Sequence, residues 1–153
     1  MKRTTFDDDP CPIARSLSVL GERWTLLILR EAYRGVRRFA DFERELGIAK
    51  NVLSARLKAL VESGVLDRTP SKDDARSIEY RLGRKARELF PVLMALALWG
   101  ERWACDGKSP LRFRNRHSGA ALAAVKVFDA EGIEVQARDV AMERVPADGA
   151  AAA

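Results

Sequence analysis

Histidine is nearly absent from this chain. His117 stands alone among 153 residues, beside two cysteines, Cys11 and Cys105. One histidine, no glycine-rich phosphate loop and no credible pair of carboxylates leave little for acid–base or nucleophilic chemistry, so no enzyme is expected. The cysteines are far apart and lack metal-ligand spacing, so no metal and no structural disulfide is expected in a reducing compartment. Each is either an inert thiol or a redox-sensing one. Long apolar runs are missing too. The longest, "LFPVLMALALWG" at 89–100, is too short for a bilayer and contains Pro91. The first ten residues are charged and Asp-rich, with no apolar core of a signal peptide. A cytoplasmic location follows as the expectation, with no membrane partner and no cofactor.

Apolar and charged residues are plentiful. The chain is 47% hydrophobic and 32% charged, with a net charge of +5. That is a globular composition, and the length suits one domain plus an appendage. The positive balance favours a polyanionic partner without requiring one.

Helical periodicity dominates the first two-thirds. Residues 1–10 read as a flexible arm. Pro12 suits the first turn of a helix, and "PIARSLSVL" (12–20) sets Ile13, Leu17 and Leu20 on one face. "ERWTLLILREAY" (22–33) has a wide apolar arc, as a central helix would. "RRFADFEREL" (37–46) is a short helix with Phe39, Phe42 and Leu46 inward, closed by Gly47. A fourth helix, 50–63, buries Leu53, Leu57, Leu60 and Val61, and Gly64 supplies a left-handed residue at its end. "VLDRT" (65–69) and "SIEYRL" (77–82) are strands of a hairpin around the charged turn "PSKDDAR". A long helix, about 84–104, is apolar on more than one face. One such face fits this chain, and a second copy fits the other. Pro91 should kink that helix or mark a fresh start. Beyond "GKSP" the pattern alternates through "LRFRNR", "AVKVFD" and "IEVQARDVAMERV", giving a small β-hairpin appendage over 107–146, and 147–153 is a disordered tail.

Three helices, a tight turn, a fourth helix and a hairpin follow the order of a winged helix-turn-helix, in a mainly α (α+β) fold. In such units the second helix of the pair enters the DNA major groove with its N-terminal residues toward base edges. With Leu53 as the core direction and about 100° per residue, Asn51, Ala55, Lys58 and Glu62 point away, with Ser54 and Arg56 on the flanks. Asn can bond adenine bidentately, Ser is a short donor, and Ala55 lets the backbone approach. From 37 to 58 there are six cations (Arg37, Arg38, Arg44, Lys50, Arg56, Lys58) against three anions, which favours phosphate approach. Arg68, Lys72 and Arg76 surround the wing, opposed by Asp73 and Asp74.

The stretch from Cys11 to Trp103 resembles the HxlR family of winged-helix transcription regulators. The likeness lies in the joint spacing of Cys-Pro, Gly-x-x-Trp-Thr-x-x-Ile-Leu, Arg-Arg-Phe and Val-Leu-x-x-Arg-Leu, and later in "EYRL" and "LFPVLMALALWGE". It sets the regulator domain at 11–106. It implies a homodimer on an inverted-repeat operator; a repressor associated with the nucleoid is the expectation. It implies pairing through the N-terminal and long C-terminal helices, with Ile13, Leu17, Leu93, Leu96, Trp99 and Trp103 at the interface. It also implies that Lys50, Asn51, Ser54, Ala55 and Arg56 hold the recognition-helix positions, with Arg38 and the wing near the backbone. Two departures stand out. Relatives often carry Ser or Thr where Ala49 stands, so this chain lacks a side-chain cap at that position. Some relatives have a Cys-bearing zinc ribbon in the extension, but residues 108–146 contain no cysteine, so no zinc is expected.

Cys11 corresponds to a cysteine that certain relatives use to sense oxidants or electrophiles. It precedes a helix N-terminus, which favours a thiolate, while Asp7–Asp9 oppose it. Cys105 follows the long helix, near the same expected interface. A small-molecule effector is the other route to control. Trp24, Phe90, Trp99 and Trp103 would either line its pocket or belong to the core. The competing class is a winged-helix protein-interaction module with no specific DNA binding.

Overall fold

The computed structural model describes residues 6–74 and 76–143. The chain divides into two units, Met1–Ala97 and Leu98–Ala153. The first begins with α1 (Pro12–Leu20), α2 (Thr25–Arg34), α3 (Phe39–Leu46) and α4 (Lys50–Glu62). It continues through β1 (Leu66–Pro70), β2 (Ile78–Leu82), α5 (Arg84–Glu88) and the start of α6 (Phe90–Trp103).

The core is built where the spacing of apolar residues placed it. Ile28 and Leu29 of α2, Phe42 of α3, and Leu53, Leu57 and Leu60 of α4 are fully or almost fully buried. Burial of each such side chain contributes about 1.5–3 kcal/mol. Leu66 of β1 and Ala86 of α5 complete it. Helix α3 starts at Phe39 and β1 runs Leu66–Pro70, slightly inside or beyond the expected bounds, and two differences are larger. Glu22–Trp24 form a turn, with the Thr25 N–H donating to the Glu22 carbonyl at 3.0 Å, so α2 starts at Thr25. The expected long helix is broken at Leu89, where α5 ends and α6 begins. Pro91 explains the break: it brings no N–H, and its ring would strike the carbonyl of Arg87 in a continuous helix. The Tyr33 hydroxyl of α2 donates to the Ala86 carbonyl and holds α5 in place; burial raises its pKa.

Glu31 is an unheralded member of this interior. It is fully buried on α2, and its carboxylate is clamped by Arg30 at 2.6 Å and Arg34 at 2.6 Å. A carboxylate there requires such partners, since an unpaired buried charge is prohibitively costly.

The two strands pair antiparallel in the register Leu66↔Leu82, Arg68↔Tyr80 and Pro70↔Ile78. An isolated bridge, Arg38↔Glu79, lays the start of α3 alongside β2, and the Tyr80 N–H donates to the Arg37 carbonyl at 2.8 Å. The ring of Phe42 meets that of Tyr80 edge-on at 6.5 Å. These contacts fix the hairpin to the helix pair.

The second unit holds the rest of α6 and the extension. The expected β-hairpin is not formed: among the described residues of the extension there is no strand, only two antiparallel turns each closed by a single bridge, Arg114↔Ala121 and Phe128↔Glu134. Asn115 Oδ1 accepts the N–H groups of His117 and Ser118, and Asp129 Oδ1 accepts those of Glu131 and Ile133. Side-chain acceptors hold the turns where a longer ladder was expected. A short 3-10 turn follows at Ala137–Asp139. The expected tail, 147–153, and residues 1–5 of the arm lie outside the described residues.

Candidate nucleic-acid interface

The turn between α3 and α4 is three residues long. Gly47 takes φ 60°, a left-handed conformation that most side chains resist, and its N–H donates to the Glu43 carbonyl at 2.9 Å. Ile48 is 4% exposed and plugs the turn into the core. An apolar residue directly after a helix-ending glycine was the available signal for this anchor. Ala49 is extended, without a side-chain cap, and α4 still begins at Lys50, with the Leu53 N–H donating to the Ala49 carbonyl at 2.9 Å.

Leu53, Leu57 and Leu60 fasten α4 from below, which fixes its rotation. Asn51, Ser54, Ala55, Lys58 and Glu62 are all exposed on the other side. The side chain of Lys50 is 77% exposed and that of Lys58 75%, so both amines are available; their nearest acids, Glu43 and Glu62, are at 3.9 and 3.8 Å. Arg56 is placed differently. Its side chain is 18% exposed and its guanidinium lies 3.3 Å from Glu22 in the turn before α2. The structure thus sets Arg56 on the flank of α4, tied to its own chain.

The wing is held by a buried polar anchor. Glu79 is 7% exposed; it accepts a 2.8 Å hydrogen bond from Ser71 Oγ and a 2.6 Å one from Arg81. The Ser71 hydrogen bond, with further help from Arg81 and Arg38, holds the Glu79 carboxyl below its ordinary value, against the opposing effect of burial. Neither Ser71 nor Glu79 was singled out from the sequence, because period-two alternation sends Glu79 to the outer face of β2. The bridge to Arg38 lies alongside β2 at Glu79, and Ser71 and Arg81 meet its carboxylate. The Asp74 side chain accepts the Arg76 N–H at 3.0 Å, so this acid builds the turn at the wing tip. Arg38, Arg68, Lys72 and Arg76 are exposed. Arg37, by contrast, donates to the carbonyls of Ala32 and Val36, and its pKa is lowered by burial and by nearby Arg81.

The remaining candidates fall as follows. Ile13 (72% exposed), Leu17, Leu96, Trp99 (58%) and Trp103 (66%) are open to solvent in the single chain. Leu93 is 8% exposed and turned inward, and Val92, 52% exposed, takes its place on a stripe 92, 96, 99, 103 of α6. Cys11 stands at the N-cap position of α1 without a side-chain capping bond and is half-buried, its N–H donating to Asp9 Oδ1 at 2.8 Å; Cys105 is exposed. Of the four aromatics, Trp24 packs on the core, Phe90 stands edge-on to Tyr33 at 5.5 Å, and Trp99 and Trp103 are exposed. A cleft of about 270 Å³ lies elsewhere, among Val19, Leu20, Ser63, Val65, Lys85 and Leu89.

A helix pair joined by a three-residue turn, its second helix lean and basic on the outside and flanked by an anchored hairpin, defines a winged helix-turn-helix DNA-binding regulator. The chain belongs to the HxlR-like helix-turn-helix family, which it matches over residues 19–108. It is 41% identical over 135 residues to Rv3095 of Mycobacterium tuberculosis, an uncharacterized HTH-type transcriptional regulator, covering 88% of this chain and 85% of that protein. The crystal structure of PA1607, a proposed transcription factor, superposes with a TM-score of 0.85 at 39% identity, over 93% of this chain and 100% of that one. The redox regulator HypR in its oxidized form superposes at 0.55 with 28% identity, over 60% of this chain and 96% of that one. The family is one of transcription regulators and not of enzymes. Among the described residues no helix is long and apolar enough to cross a membrane.

Proposed function

We propose that the protein is a homodimeric transcriptional repressor that binds an inverted-repeat operator. The observation that carries this is the outer face of α4. Asn51, Ser54, Ala55 and Lys58 are exposed together while Leu53, Leu57 and Leu60 lock the helix from the opposite side. Asn51 and Ser54 read base edges, Ala55 allows close approach, and Lys50 and Lys58 meet phosphates. Arg38, Arg68, Lys72 and Arg76 neutralise the neighbouring backbone. Arg56 acts through Glu22 by holding α4 against the turn before α2. The second copy covers Ile13 and Leu17 of α1 and the stripe Val92, Leu96, Trp99 and Trp103 of α6, because apolar side chains this exposed mark an association surface. Two copies related by a two-fold axis require a palindromic site.

The test is selection of bound duplexes from a random pool, followed by titration of affinity against salt. A regulator yields a site with dyad symmetry and a log–log slope of about −0.9 per neutralised phosphate. No enrichment and no salt-dependent binding would favour a protein-interaction module and overturn the proposal.

One observation favours redox control. The solved structure of a redox regulator, HypR, shares this fold at 28% identity, and Cys11 sits at the start of α1, the helix that offers Ile13 and Leu17. Oxidation of Cys11 would bear directly on that surface. Diamide should then weaken operator binding by the wild type and leave Cys11→Ser unaffected. An unchanged response in Cys11→Ser sinks this second reading.

A further inference from the structure

A cavity of about 300 Å³ opens beside α4, on the flank that carries Arg56, with α1 and the start of α2 as its other walls. It lies wholly within the first unit. Both signs of charge line it. Arg56 and Glu62 belong to the α4 wall, six residues apart, which is about 9 Å of helix. The side chain of Arg56 is 18% exposed, and among the described residues its one ion pair is the 3.3 Å contact with Glu22. A guanidinium carries several N–H donors in a planar fork, so it can take a second carboxylate. Glu62 holds Lys58 only loosely, at 3.8 Å, with 65% of its side chain exposed. Thr25 is a buried member of the lining, and Ser63 Oγ donates to the Leu60 carbonyl at 3.1 Å, which leaves its oxygen to accept from a ligand. Val19 and Ala59 add a small apolar patch, and among the described residues no aromatic ring lines the cavity.

We propose that this cavity binds a free α-amino acid with a short side chain, and that the bound amino acid weakens operator binding. The effect on DNA rests on the regulator reading above; the binding itself does not. Charge selects the ligand class. A simple carboxylate would gain Arg56 but face Glu22 and Glu62. A simple amine would gain the acids but face Arg56. A zwitterion satisfies both signs, with its carboxylate on Arg56 and its ammonium on Glu62 and Ser63 Oγ. Size selects the side chain. At about 300 Å³ the cavity is at the lower limit of small-molecule sites, and Val19 and Ala59 leave an apolar patch for only a few methyl groups. A sugar or a planar ring finds no aromatic face to stack on. The consequence for DNA follows from Arg56. The ligand carboxylate competes with Glu22 for the guanidinium, and so loosens the pair that ties α4 to the turn before α2.

Glycine, L-alanine, L-serine, L-threonine and L-valine are titrated into the full-length protein by calorimetry, without DNA. At least one should saturate with a Kd of about 1 mM or tighter. Its deaminated acid and its decarboxylated amine should each bind about tenfold more weakly or worse. Glu62→Gln changes an exposed side chain; it should keep its helix content by circular dichroism and lose about tenfold in affinity. Ala59→Phe, which fills the cavity, should bind none of them. No saturable binding by any of the amino acids overturns the inference. Equal affinity for the deaminated acid overturns it too, and so does binding that both variants retain, since the site is then elsewhere. The operator assay is separate. The amino acid that binds should raise the operator Kd of the wild type about fivefold or more and, at the same concentration, leave that of Glu62→Gln nearly unchanged. Binding with unaltered operator affinity overturns the coupling to α4. Binding by a protein that recognises no duplex keeps the site and removes the regulator reading.

Discussion

Asn51 and Lys58 share one exposed face, and the proposed reading gives them different roles. Asn51→Ala should relax preference at a single operator position by about 1–3 kcal/mol, measured by competition among point-substituted duplexes. Lys58→Ala should weaken all sequences alike and lower the salt slope by about one. A uniform loss in Asn51→Ala would mean that Asn51 meets the phosphate backbone and not a base edge. Arg56 and Glu22 allow a test of sign. If Arg56 positions α4 through Glu22, both Arg56→Ala and Glu22→Ala weaken operator binding in a filter or anisotropy assay. If Arg56 grips phosphate instead, removing Glu22 strengthens binding. At the wing, the carboxyl of Glu79 lies below its ordinary value of 4.5. A depressed acid stabilises the fold above that value and loses the contribution as pH falls through the lowered one. The amide resonances of Ser71 and Tyr80 should therefore hold steady from neutral pH down to 4.5 and move below it, and Glu79→Gln should abolish the movement.

Helix α4 is capped weakly and anchored strongly. Ala49 leaves the first N–H groups without a side-chain acceptor, so the burial of Leu53, Leu57 and Leu60, with the Arg56–Glu22 pair on the flank, holds the helix. Ala49→Ser should add about 1 kcal/mol to stability in urea denaturation. Failure to stabilise would show that the backbone at 49 cannot present a hydroxyl to the first turn. The hairpin is anchored by opposite means, with the polar triad of Ser71, Glu79 and Arg81 beneath it and Phe42 against Tyr80. An edge strand of five residues is short for its task, and the bridge to Arg38 compensates by tying β2 to the start of α3.

For the whole molecule, the proposal joins association through the exposed faces of α1 and α6 to binding of a two-fold operator. The proposed dimer makes stability depend on concentration. The melting temperature of the wild type should rise with protein concentration, and that of Trp99→Glu should not, by differential scanning calorimetry. A concentration-independent wild type would argue against a dimer. With a dimeric wild type, Trp99→Glu should bind palindromic operators with half-site affinity only.

The sequence by itself determined the helices, the hairpin, the core and the lean face of α4, because each is written as a local period. Leucines every three or four residues leave only one side of α4 for water, and Gly47 and Gly64 mark its limits by the left-handed turns they permit. It also carried the family likeness, whose spacing is a property of one dimension. Tertiary structure decided what depends on neighbours distant in the chain. Glu79 alternates outward along β2 and is nevertheless buried, with the bridge to Arg38 beside it and Ser71 and Arg81 on its carboxylate. Arg56, about 60° from Leu53 on the helix, turns from a basic candidate into the partner of Glu22 because the turn before α2 comes within 3.3 Å. Leu93 and Val92 are equally apolar in sequence, and only packing sends one inward and leaves the other on the surface. Periodicity fixes which way a side chain points along its own element; which group waits there is settled by how the elements meet.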